Sequence, residues 1–300
     1  MFIKCYLRRI QVMAIPSVSF EFFPPKTPAG LQGLLQVADR LRAFDPEFAS
    51  VTYGAGGSTQ ETTANAVRAL RASLGLDVAP HLTCVEATRE ESLAIAQSYV
   101  DSGVRKIVAL RGDPRDGVSG TYEPHPDGFA YASDLVGGLS ALAGLDIYVS
   151  AYPEKHPAAS SLDFDIEVLN AKQRNGATAA ITQFFFNNDD FLRYRDKAHA
   201  AGVSIPLIPG IMVPENIEGV CRFAAGCGAS VPESLLERFT GLNDDAETRR
   251  LIATHFSIEQ CEALAAEGVD QFHFYTLNKS ESVYAVCHAL GLRASLSEAA

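Results

Sequence analysis

The chain has 300 residues, about twice the ~150 of a common domain, so it holds one large domain or two ordinary ones. Its 25 lysines and arginines against 36 acids leave a formal charge of −11, which argues against a nucleic-acid or anionic-membrane partner. Hydrophobic residues at 47 % and charged residues at 20 % exclude a disordered chain, and the apolar runs fall short of the ~20 residues of a membrane span.

Residues 1–14 are expected to be a frayed extension. Lys4, Arg8 and Arg9 stand there without the apolar stretch of a signal peptide, and Met13 directly precedes the first strand. The six cysteines form no CxxC pair and no finger spacing, which points to free thiols in a reducing, cytoplasmic setting.

Eight apolar, β-rich runs then follow: Ile15–Phe23, Phe48–Tyr53, Val78–Val85, Val104–Leu110, Ile147–Tyr152, Ala179–Phe186, Ile205–Met212 and Val269–Leu277. They are nearly continuous rather than alternating, as strands buried on both faces of a parallel sheet should be. Helical periods separate them. Gly30–Phe44 aligns Leu31, Leu34, Leu35, Ala38 and Leu41, and Thr59–Leu74 aligns Ala66, Val67 and Leu70. The same period marks Glu90–Val100, Ala130–Leu142, Leu162–Arg174, Asp189–Ala201, Ile217–Ala225 and Glu281–Leu290. Gly75, Gly103, Gly144, Gly176, Gly202 and Gly268 stand where helix C-caps are expected. The rhythm predicts a single α/β domain over 15–292, a (β/α)8 TIM barrel, with a tail at 293–300. Pro232–Gly268 exceeds one crossover and predicts an extra helical excursion between strands seven and eight. An open doubly wound sheet is the alternative.

A barrel places chemistry at the carboxyl ends of its strands. Glu21, among the aromatics of Ser19–Phe23, is either a desolvated acid that keeps its proton near neutral pH or the partner of a barrel cation. Gly54-Ala55-Gly56-Gly57-Ser58-Thr59 is either a phosphate-binding turn or a helix cap, and it matches no dinucleotide or P-loop pattern. Asp113, after Arg111-Gly112, either places a charge or stabilises its loop. His81, His156 and His273 lack zinc-site spacing, and Lys155 and Lys279 sit beside Glu154 and Glu281 as ordinary charged lysines.

Taken in order, several strand ends resemble one family. They are Ser19-Phe20-Glu21-Phe22-Phe23-Pro24-Pro25-Lys26, Ser50-Val51-Thr52-Tyr53-Gly54-Ala55, Pro80-His81-Leu82-Thr83-Cys84 and Ala109-Leu110-Arg111-Gly112-Asp113-Pro114. Tyr131–Leu135, Ala151–Pro157, Ile181–Phe186, Pro209–Met212 and Phe272–Asn278 complete the set. Together they resemble the methylenetetrahydrofolate reductase family, of the short bacterial type.

The resemblance implies a barrel with non-covalent FAD that reduces 5,10-methylenetetrahydrofolate to 5-methyltetrahydrofolate with NADH or NADPH. It implies a dimer or tetramer, and at this length no regulatory domain of the eukaryotic kind. By resemblance Glu21 is the acid toward folate N10, and Asp113 stabilises the cationic iminium. Gln183 and Phe223 meet folate and nicotinamide in turn, and Lys279 stands where many relatives place Arg for the folate tail. The flavin set is Thr52, His81, Arg111, Gly112, Asp113, Tyr131, Ala132, Tyr152, His156, Asp165 and Lys172, and Thr52 also belongs to the folate set. Val213-Pro214 inverts the family's usual Pro-Val, Gly219 and Val168 replace polar residues, and the 118–127 loop differs. The competing readings are a flavin barrel acting on another substrate, such as proline, and a catalytically silent barrel subunit.

Overall fold

The computed structural model describes residues 15–53, 60–113 and 122–294. The expected extension at 1–14, the Gly54–Thr59 turn, part of the 118–127 loop and most of the tail lie outside these residues.

Strands and helices alternate as the periodicity predicts. The order is β1 (Ser17–Phe22), α1 (Pro28–Arg42), β2 (Ala49–Val51), α2 (Gln60–Leu74), β3 (Val78–Thr83), α3 (Arg89–Asp101), β4 (Lys106–Leu110) and α4 (Ala132–Leu139). Then come β5 (Asp146–Ala151), α5 (Leu162–Arg174), β6 (Ala179–Thr182), α6 (Asn188–Ala200), β7 (Leu207–Ile208) and β8 (Gly210–Met212). The chain continues with α7 (Ile217–Cys227), α8 (Glu233–Glu237), α9 (Ala246–Ala266), β9 (Gln271–Tyr275) and α10 (Glu281–Ala289). All strand pairs are parallel, in the order β7-β6-β5-β4-β3-β2-β1-β9-β8.

The ninth strand is a finding of geometry. The predicted run Ile205–Met212 is one barrel strand cut at Pro209, which has no N–H to give a ladder. Its first half pairs with β6, through Ala180 and Leu207, and its second half with β9, through Gly210 and His273. The two halves thus close the eight-stranded barrel that the sequence predicts. Gly210 is required there. A Cβ would fall 2.2 Å from Thr182 O and 2.5 Å from the Tyr275 ring, which crosses the strand to donate a hydrogen bond to Thr182 O at 2.7 Å. The predicted excursion contains α8 and the 21-residue α9.

Strand period two sorts the barrel strands. Phe20, Phe22, Phe272 and Phe274 face the helices and are essentially buried. Each such ring contributes about 1.5–3 kcal/mol of burial. Their neighbours point inward. Phe48, Ala79, Val108 and Ile181, with Tyr148 packed on them, fill the barrel interior, so it is a core and not a pore. Helix ends follow local chemistry. Thr27 caps α1 with Pro28 at its first position, Thr88 and Glu91 make a capping box on α3, and Ser161 caps α5. The six predicted C-cap glycines all have positive φ. Among the described residues no helix is long and apolar enough to cross a membrane.

Candidate active site

Register builds the centre of the site. In the β1–β9 pair Ser19 lies opposite His273, and in β1–β2 Glu21 lies opposite Ser50. These side chains all turn into the barrel. Ser19 Oγ sits 2.7 Å from His273 Nδ1, and Ser50 Oγ donates to Glu21 Oε2 at 3.3 Å. His81 Nε2 from β3 and His273 Nε2 approach the same oxygen at 3.1 and 3.5 Å. The His81 contact is close, but it lacks the alignment of a directed hydrogen bond. Among the described residues, Ser50, His81 and His273 all meet the Glu21 carboxylate at Oε2.

Burial pushes the Glu21 carboxyl up, as the sequence suggests, but His81 and His273 together more than reverse it, to about 2. The expectation of a raised acid is therefore corrected: neighbouring imidazoles outweigh desolvation. The alternative partner, a barrel Arg or Lys, is corrected as well, since imidazoles hold the carboxylate. Held ionised in the ligand-free site, Glu21 must take up a proton before it can act as an acid. Sequence reasoning missed His273, Ser19 and Ser50. The signal was present in β1, where Ser19 and Glu21 share a face by period two.

A second group lies where β4 and β5 end. Helix α5 carries Asp165 and Lys172 two turns apart, so both face the barrel. Lys172 is 6 % exposed and donates Nζ to Ser150 O at 2.8 Å; burial, opposed by Asp165, pulls it down to about 8. Asp165 accepts the His156 N–H at 2.9 Å, and burial pushes its carboxyl up. Burial, then Arg111, Lys172 and Lys155, push His156 down to about 4. Tyr152 packs edge-on to His156, and its phenol is pushed up to about 12, chiefly by burial. Arg111 lies over the Tyr122 ring at 4.5 Å, with its guanidinium 3.9 Å from the half-exposed Asp113. Gly112 has φ +85, and a Cβ there would meet Val85 at 2.5 Å. Tyr131 is 55 % exposed beside Ala132 at the start of α4. Thr52 N donates to Phe22 O at 3.0 Å, which fixes Thr52 beside the acid strand.

These residues suit a dinucleotide diphosphate. Arg111, Lys172 and Lys155 crowd around His156, with Asp165 and Asp113 as counter-charges among the described residues. An anion would relieve both the buried ammonium and the imidazole.

An apolar cleft of ≈ 220 Å³ opens beside Tyr275, the residue opposite Glu21 in the β1–β9 register. Phe23, Met212, Val220, Phe223 and Leu277 line it, and its charged lining residues are Glu215 and Lys279. Phe223 on α7 is 48 % exposed and stacks on Phe184 at 5.5 Å and 16°. Gln183 leaves β6 with its Oε1 accepting the Phe184 N–H at 3.0 Å. Gly219 and Val213, the first residue of the Val213-Pro214 inversion, both line this cleft. Lys279 is an ordinary charged lysine that pairs with Glu215 at 3.4 Å, while its sequence neighbour Glu281 lies 3.9 Å from Arg40. Lys155, at φ +88, donates Nζ to His156 O and Ala159 O and so holds its loop.

Residues 7–291 match the family model described as methylenetetrahydrofolate reductase. This chain belongs to the methylenetetrahydrofolate reductase family. It is 45 % identical over 280 residues to the 5,10-methylenetetrahydrofolate reductases of Salmonella typhimurium and Escherichia coli, covering 93 % of this chain and 92 % of each relative. Among solved structures it resembles a Clostridium thermocellum protein described as binding two copies of 5-methyl-5,6,7,8-tetrahydrofolic acid. That likeness has a TM-score of 0.58 and 14 % identity over 93 % of this chain and 95 % of the other, and it speaks to the barrel fold. Membership in the reductase family, over nearly the whole length, supports an oxidoreductase of this kind.

Proposed function

We propose that this protein reduces 5,10-methylenetetrahydrofolate to 5-methyltetrahydrofolate, using NADH or NADPH and non-covalent FAD in a ping-pong cycle. The observation that carries the reading is Glu21, a buried acid whose inner oxygen is held by two imidazoles and a serine beside an apolar cleft. The cleft suits folate, which is flat and apolar in the middle and anionic at its tail.

In this reading Lys172, Arg111 and His156 hold the diphosphate of FAD, with Asp165 fixing the His156 backbone and Tyr152 packed behind it. Gly112 lets the chain turn against Val85 and Thr83 between Arg111 and Asp113. Bound FAD would supply storage of two electrons between the two substrates. Once it has taken up a proton, Glu21 gives it to folate N10, the C–N bond to N10 breaks, and the electron pair stays on that nitrogen. The N5 iminium that results is cationic, and the Asp113 carboxylate stabilises it. The proton transfer returns Glu21 to the ionised form beside the two imidazoles. Phe223 and Gln183 line the place that nicotinamide and folate occupy in turn. Lys279 meets the folate carboxylates as a point charge. Such a product would supply methyl groups for methionine synthesis. Work as a cytoplasmic homodimer or tetramer completes the proposal.

The test is anaerobic. The purified protein should carry or take up FAD, NADH should bleach it, and methylenetetrahydrofolate should restore the colour. A protein that takes up no flavin, or a reduced flavin that folate does not reoxidise, would overturn the reading.

A further inference from the structure

The β1–β9 ladder ends at Glu21 and Tyr275. Beyond that point side chains continue it. Thr276 Oγ1 donates to Glu21 O at 2.6 Å, and Asn278 takes over at Phe23. Asn278 Nδ2 donates to Phe23 O at 2.9 Å, while Asn278 Oδ1 accepts the Phe23 N–H, also at 2.9 Å. One primary amide thus satisfies both backbone groups of one residue, the task a neighbouring strand would perform. The Asn278 N–H in turn donates to Thr276 Oγ1 at 3.1 Å.

The backbone here is unusual. Leu277 and Asn278 both have positive φ, at 50° and 56°. Asparagine tolerates that region, whereas leucine seldom enters it. Its consequence is visible in the cleft. Leu277 is 40 % exposed, Phe23 is 43 % exposed, and both line the cavity that begins beside the acid strand. Large apolar side chains left this open at a cleft wall are available to a ligand. Asn278 is outside the cleft lining, yet it grips the backbone of one wall residue and directly follows the other.

We propose that Asn278 is a positioning residue whose side-chain amide fixes Phe23 and Leu277 as the apolar pair that grips the planar aromatic section of the ligand. The inference deepens the proposed function and rests on it for the identity of that ligand. Glycine at 278 would keep the left-handed backbone but lose the amide. Aspartate would keep the size and the acceptor but turn an oxygen toward Phe23 O, so the clamp would open from that side.

The experiment uses the FAD-loaded full chain and four proteins: wild type, Asn278→Gly, Phe23→Ala and the double variant, with Asn278→Asp as a second form of the lesion. Backbone amide exchange at Phe23, read by NMR on protein labelled with 15N-phenylalanine, should quicken at least tenfold in Asn278→Gly as its acceptor disappears. The KM for methylenetetrahydrofolate should rise about tenfold, with kcat held within about twofold. Phe23→Ala should raise KM similarly, and adding Asn278→Gly to it should cost less than about twofold more, because the two act as a unit. A purely structural role would instead give additive losses or lower kcat at fixed KM, and either outcome overturns the proposal. An unchanged KM in both Asn278 variants overturns it too. If the glycine variant does not fold, the aspartate variant is read by KM, kcat and the Phe23→Ala cycle, since it keeps the acceptor of the Phe23 N–H and loses only the donor to Phe23 O. A wild type that does not turn over folate refutes the function reading instead, and the clamp is then decided by Phe23 exchange alone: unchanged exchange overturns it.

Discussion

Replacing Lys172 by Met should make the flavin-free protein as stable as wild type or more stable, and should weaken its hold on FAD. Lys172 is 6 % exposed and, through burial, carries its proton only up to about pH 8, against 10.5 for a free lysine. The difference corresponds to roughly 3 kcal/mol spent on keeping the ammonium charged in the folded chain at neutral pH. The sign follows from proton counts. Between about pH 8 and 10.5 the unfolded chain binds the proton and the folded chain does not, so stability rises with pH across that window and is lowest below it. Methionine matches the stem and removes the charge. Against that gain stands Ser150 O, which loses its donor at about 1–3 kcal/mol. The net change is therefore between about zero and +2 kcal/mol, or up to several degrees in Tm. The diphosphate loses a charge-assisted partner worth about 1.5–3 kcal/mol, which is roughly 10- to 100-fold in FAD affinity. Urea unfolding of the flavin-free protein at pH 7, with an FAD titration beside it, reads both effects. A variant less stable than wild type by more than about 1 kcal/mol, or one with unchanged FAD affinity, would refute the reasoning.

Two further outcomes follow from the site's charges. Glu21 is held near 2 in the folded protein against 4.5 when free, so its contribution is full above about pH 4.5 and is lost as pH falls toward 2. Urea unfolding at pH 5 and pH 3 should show a smaller acid loss in Glu21→Gln than in wild type, and equal losses would contradict the imidazole account. Glu215→Gln should free Lys279, which now pairs with it at 3.4 Å, for the folate carboxylates. An exposed pair of this kind is worth up to about 1 kcal/mol, so the folate KM should fall about two- to fivefold, and less at high salt. A KM that does not move at low salt would show that Glu215 does not compete.

The barrel was legible because strands buried on both faces write themselves as apolar runs, and because glycine closes the helices between them. The cut at Pro209 was also in the sequence, but its meaning depended on which neighbour each half would pair with. Glu21 was legible as a candidate and misjudged as a titrating group. Desolvation can be read from its own strand, whereas the imidazoles come from β3 and β9, and His273 lies 252 residues away. Only the closed register brings them to one oxygen. The partner of Lys279 was not legible for the same reason. Glu281 is its neighbour in sequence, but α10 turns that residue toward Arg40 and leaves Glu215, across the cleft, to take the lysine.

The acid role of Glu21 is the centre of the account, and the two half-reactions separate it from every other role. Wild type and Glu21→Gln should be loaded with FAD and mixed anaerobically, first with NADH and then with methylenetetrahydrofolate. The amide variant should bleach at close to the wild-type rate, because that step needs no proton from residue 21. Its colour should not return with folate, a loss of at least about 100-fold for a missing general acid. Reoxidation at the wild-type rate, or equal losses in both halves, would contradict the assignment.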